Sequence, residues 1–156
     1  MRKMSSLFGL LLALTVATVA EQSTDFSGTY NLVSLGGAHT PKNVPKRTLR
    51  FVQDGKSLEI EQVLDDGKAM CSTYELDGSE SKNATWDGDP TIDKALIKGK
   101  NLVIQTSHQL PSGVPVHETQ KWELSSDRKT LKVRREIRFE GMERLDETNI
   151  ETYARQ

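Results

Sequence analysis

Apolar side chains recur at every second position in short runs through residues 28 to 154, and each run ends in a cluster of Gly, Asp, Asn, Ser or Pro. Successive side chains of an extended chain point to opposite faces, so this period predicts strands with one dry and one wet face. Ten runs read as strands: 28–34, 47–53, 57–63, 70–77, 83–86, 91–98, 101–107, 116–124, 130–138 and 149–154. In the ninth, Leu131, Val133, Ile137 and Phe139 share one face while Lys132, Arg134, Glu136 and Arg138 share the other. Leu58, Ile60 and Leu64 oppose Glu59 and Glu61 in the same way, and Leu102 and Ile104 repeat the pattern.

The separators are short. Asp54–Gly55, Asp65–Gly67, Asp77–Gly78 and Gly99–Asn101 supply residues that accept the positive φ of tight hairpins. A meander of this many strands with a single dry face either folds over that face or closes around it, and closure also removes exposed edges. The predicted fold is therefore all-β: one antiparallel up-and-down barrel of eight to ten strands. The longest irregular stretch, Gly36 to Lys46, holds two prolines that exclude a central strand, and it is expected to cross one mouth of the barrel as a flap.

The first residues follow a different pattern. Arg2 and Lys3 precede an apolar run from Leu7 to Val19, and Thr18 and Ala20 are small enough for cleavage after Ala20, which is the three-part pattern of a secretory signal peptide. The run is shorter than the roughly 20 residues that span a bilayer, so no stable membrane anchor is expected. The expected organisation is a signal peptide at 1–20 and one domain at 21–156, secreted or periplasmic. Without Arg2 and Lys3 the domain carries 19 basic and 22 acidic side chains, a net charge of −3. That balance argues against nucleic acid as a partner, since phosphate binding needs clustered cations. The single cysteine, Cys71, forms no internal disulfide and, as a lone Cys in a strand, is expected to be a small core residue.

The stretch Phe26 to Val33, Phe-Ser-Gly-Thr-Tyr-Asn-Leu-Val, resembles the first-strand signature of the lipocalin and fatty-acid-binding (calycin) superfamily. The resemblance implies that Gly28 turns the chain into the barrel and that Tyr30, in a place where Trp is usual, plugs its closed end. The segments around Tyr74, Trp122 and Tyr153 are similar to small exported lipocalin-like domains of bacteria, for which no common activity is established. Two departures limit the analogy. The eleven irregular residues after the first strand are too few for the two-helix lid of fatty-acid-binding proteins. Their Arg-x-Tyr carboxylate pair on the last strand is here Glu151, Thr152, Tyr153, so that clamp does not transfer.

Arg135 breaks the alternation, falling on the dry face between Val133 and Ile137. A buried guanidinium needs a carboxylate, a ligand anion or water. Read functionally it is an anion anchor inside the barrel; read structurally it marks a bulge or a side chain reaching the mouth. On the preceding strand Glu118, Gln120, Trp122 and Leu124 share a face, which makes Glu118 a neutralising partner for Arg135 if that face is the inner one. The candidate ligand-binding residues are Arg135, Trp122, Gln120 and Tyr74, the last on the face of Met70, Ser72 and Leu76. Ser34, Ser72 and Thr106 are small or polar inward positions that suggest interior space.

Other chemistry is thin. His39, His108 and His117 have no paired ligand spacing, and the His117–Lys121 run carries Lys where a zinc-protease helix needs its second His. The Asp87–Pro90 turn lacks the ligand spacing of a calcium loop, and Asn83–Thr85 forms an Asn-x-Thr glycan acceptor in a eukaryotic secretory pathway only. Neither a nucleophile motif nor a phosphate loop is present, and no catalytic residue, metal or cofactor is predicted. The expected function is non-catalytic binding of a small apolar or amphipathic ligand. The alternative is a protein-interaction or inhibitor module with a filled interior, meeting an envelope protein through its outer face.

Overall fold

The computed structural model describes residues 24–37, 41 and 43–156. The predicted signal peptide, and Ala38, His39, Thr40 and Lys42 of the predicted flap, lie outside the described residues. Ten strands follow one another: β1 (Gly28–Gly37), β2 (Arg47–Asp54), β3 (Ser57–Leu64), β4 (Ala69–Glu75), β5 (Asp77–Ala84), β6 (Pro90–Lys98), β7 (Asn101–Gln109), β8 (Pro115–Leu124), β9 (Thr130–Phe139) and β10 (Glu147–Arg155). The one helical element among the described residues is a 3-10 turn at Glu143–Leu145. Each strand pairs antiparallel with its sequence neighbour except β4 with β5, and β1 also pairs with β10, giving the order β4-β3-β2-β1-β10-β9-β8-β7-β6-β5. This is an up-and-down antiparallel barrel, nearly closed, with β4 and β5 as its two edges.

The alternation is the cause of the closure. Leu49, Phe51, Leu58, Leu102, Ile104, Leu131 and Val133 all turn inward and are almost fully buried. Burying a side chain of this size contributes about 1.5–3 kcal/mol, and a flat sheet would leave that face wet.

One end of the barrel is plugged. Phe26, just before β1, and Tyr30 are fully buried, and the Tyr30 hydroxyl donates to the Phe26 carbonyl at 3.1 Å. Tyr30 meets Phe51 edge-on at 5.7 Å between ring centroids, and Phe51 meets Trp122 at 5.3 Å. The Arg155 guanidinium lies 5.7 Å from the Tyr30 ring centroid. Gly28 adopts φ 149°, and a Cβ there would come within 3.0 Å of the Arg155 guanidinium nitrogens. Gly28 thus leaves room for the Arg155 guanidinium, and the Tyr30 ring is part of the buried core.

Three expectations need correction. The fifth strand is Asp77–Ala84, so Asp77–Gly78 belongs to a bulged strand start and Trp86 falls in the following turn. This strand is polar throughout and carries no period-two signal. Ser34 points outward because a bulge between Leu32 and Ser34 shifts the register, leaving Leu35 on the inner side. Cys71 is exposed, since Met70 and Ser72 hold the inward parity of β4. Burial and then the Glu59 carboxyl push its thiol pKa upward, which disfavours the reactive thiolate.

Candidate functional site

Beyond the aromatic plug the barrel holds a cavity of about 390 Å³, within the usual range of small-molecule sites. Its apolar lining comes from Leu49, Ile60, Met70 and Ile137, and Tyr74, Trp86 and Trp122 supply aromatic surface. All four candidate ligand-binding residues, Arg135, Trp122, Gln120 and Tyr74, line this one space, as do Ser72 and Thr106. Their common parity makes this possible: Gln120 pairs with Arg135 across β8 and β9, and Trp122 pairs with Val133 two residues along.

The polar half of the cavity is a network of ions. Arg47, at the start of β2, meets Glu151 of β10 at 2.8 Å. The Tyr153 hydroxyl donates to the other Glu151 oxygen at 2.7 Å. Arg135 stands 3.3 Å from Glu118 and 3.8 Å from Glu151, and Gln120 donates to Glu118 at 2.6 Å. The parity break at Arg135 is thus a genuine inward guanidinium with the predicted Glu118 partner. On β6 Asp93, 2% exposed, accepts from Asn83 at 2.8 Å and from Thr91 at 2.9 Å.

These neighbours set the proton affinities. Burial raises the Glu151 pKa, but the charges of Arg135 and Arg47 outweigh it and hold the carboxyl below its ordinary value. Burial, reinforced by the Glu151 charge, pushes the Tyr153 phenol well above its ordinary range. Tyr74 is pushed up to about 12, chiefly by burial, with Asp93 and Glu118 adding to the effect. Three donors, Arg47 Nε, Arg135 Nε and Trp122 Nε1, are buried with no protein partner.

The seam between β4 and β5 borders the cavity. It has no main-chain ladder and is closed by side chains instead. Thr73 N–H donates to Asn83 Oδ1 at 2.9 Å, Asn83 Nδ2 donates to Thr73 O at 3.0 Å, and Glu75 N–H donates to Ser81 Oγ at 3.0 Å. Asn83, the potential glycan acceptor, therefore has both Nδ2 hydrogens engaged, one with Thr73 and one with Asp93.

The histidines are dispersed. His108, within β7, lines the cavity, whereas His117 lies on the outer face beside Ser107, and His39 is outside the described residues. Among the described residues no group of three His, Cys, Asp or Glu side chains is placed to hold a metal ion, and no helix is long and apolar enough to cross a membrane.

Neither a protein-family model nor a curated protein matches the chain. Solved structures do. The chain is similar to a zebrafish ileal bile acid-binding protein complexed with cholic acid, at 17% identity and a TM-score of 0.64, covering 84% of this chain and 98% of that one. It is similar to fatty-acid-binding protein 1 of Echinococcus granulosus, at 12% identity and 0.58, covering 83% and 96%. A third is secretory abundant heat soluble protein 4 of Ramazzottius varieornatus, at 11% identity and 0.58, covering 84% and 94%. At these identities the likeness establishes the fold, a calycin-like barrel, and the site must be argued from its own residues.

Proposed function

We propose that the protein is an exported, non-catalytic carrier or scavenger of one small amphipathic molecule, held inside the barrel against Arg135, Trp122, Gln120 and Tyr74. The observation that carries this reading is the cavity itself: a space of about 390 Å³ bounded on one side by aliphatic and aromatic side chains and on the other by an ionic network. A barrel serving only as a scaffold needs no such space and would bury more apolar surface by filling it. The ligands named for two of the structural neighbours, cholic acid and fatty acids, are amphipathic and support the same class. Export rests on the charged start, apolar run and small residues of positions 1–20.

Native mass spectrometry on protein purified from its own exported fraction, beside a solvent-stripped and refolded sample, tests the reading. A stoichiometric excess mass that disappears on stripping is the expected result. An empty protein in both samples overturns the carrier role and directs attention to partner capture at the outer surface.

A further inference from the structure

The charges in the cavity are already committed to one another. Two guanidinium groups, Arg47 and Arg135, face three acidic side chains, Asp93, Glu118 and Glu151, so the lining carries one acid in excess. Arg47 is held by Glu151 at 2.8 Å, and Arg135 is shared between Glu118 at 3.3 Å and Glu151 at 3.8 Å. The excess acid, Asp93, is buried with only the neutral donors Asn83 and Thr91 as hydrogen-bond partners. It also shares a row with Glu118: Asp93 pairs with Thr106, which pairs with Glu118, placing the two acids on alternate strands of the inner wall. Adjacent strands are about 4.8 Å apart, so the two lie roughly 10 Å from each other across the row.

We propose that this cavity selects a neutral, oxygen-bearing head group and discriminates against carboxylates. The inference rests on the carrier reading and specifies its ligand class. An entering carboxylate would have to compete with Glu118 and Glu151 for guanidiniums already paired, leaving a largely buried acid without its cationic partner. It would also add a negative charge to a lining that has an excess of acid. A hydroxyl-bearing head group avoids both costs, since its hydrogens can be donated to Asp93 or Glu118. Its oxygens offer acceptors to the donors that lack them, above all Trp122 Nε1, whose residue is 3% exposed and lines the cavity. An amine can pair with Asp93 but brings those donors no acceptor. The interior thus favours an alcohol or glycerol-ester type of amphiphile over the fatty acid or the alkylamine of the same chain.

Isothermal titration of the stripped protein at neutral pH with lauric acid, its glycerol monoester and dodecylamine tests this, because the three share one hydrocarbon chain. The expected result is monoester binding at least tenfold tighter than laurate or the amine. In Asp93→Asn the ratio of monoester to laurate affinity shrinks severalfold, with circular dichroism confirming the fold. Laurate binding as tightly as the monoester, or the amine binding more tightly, overturns the head-group inference and leaves the carrier reading standing. Absence of binding by all three overturns both.

Discussion

Asn83 and Thr73 form a rung where the sheet has none: the Asn83 side-chain amide accepts from the Thr73 N–H at 2.9 Å and donates to the Thr73 carbonyl at 3.0 Å. A main-chain rung between β4 and β5 would fix the seam of the barrel permanently. A side-chain rung closes the same edge with one residue.

Asn83→Ala is therefore expected to remove both bonds and the support of Asp93, destabilising the fold by about 1–3 kcal/mol. Amide hydrogen exchange at Thr73 should accelerate, while Glu75, held by Ser81, changes less. Unchanged protection at Thr73 would show that the clasp does not hold the seam.

Glu151 gives the stability an acid dependence. Its folded pKa is depressed below the ordinary 4.5: burial opposes the charged form, but Arg135 and Arg47 outweigh that effect. A depressed carboxyl contributes stability that is present above the unfolded value, and the contribution is lost as pH falls through the folded one. Thermal unfolding of wild type should therefore weaken progressively below about pH 4.5. Glu151→Gln, which leaves Arg47 and Arg135 less compensated, should lose about 1.5–3 kcal/mol at neutral pH and show a flatter acid profile. Parallel acid profiles for the two proteins would remove Glu151 from this role.

The tyrosines report the other limit. All three in the sequence, Tyr30, Tyr74 and Tyr153, have pKa values raised above the ordinary 10, each chiefly by burial, and Tyr74 reaches about 12. The unfolded chain loses phenolic protons that the native protein keeps, so their contribution is complete below pH 10 and declines as pH rises through the folded values. Ultraviolet titration should show less tyrosinate in native protein at pH 10.5 than in the same sample once urea is added. Equal signals in the two would contradict the buried geometry of these rings.

Much of this was legible because a barrel converts parity into position. Arg135 stood out between Val133 and Ile137, and Glu118 was named as its partner from the face it shares with Trp122. The same parity was available for Arg47 with Leu49 and Phe51, and for Glu151 with Tyr153, but a charged residue at a strand end reads as solvent-facing until its neighbours are known. Asp93 lies in step with Thr91 and Ala95 and was missed for a similar reason, since two of the three are polar. Asn83 could not be read at all: β5 has no apolar alternation, and its function is to cross to an edge strand that sequence order does not mark as unpaired. Cys71 and Ser34 show the reverse limit, where composition and an undetected bulge misassigned the face.

The central claim is that a ligand occupies the inside of the barrel, and cavity filling tests it most directly. Gln62 lines the cavity on the inner face of β3, in step with Leu58 and Ile60, so Gln62→Trp places bulk inside without altering the outer surface. Binding of an anilinonaphthalene dye by wild type and by Gln62→Trp, with thermal unfolding confirming that both are folded, separates inside from outside. The account predicts about one site per chain in wild type and loss of that site in the variant. Equal dye binding by both proteins would place the binding surface outside the barrel and contradict the account.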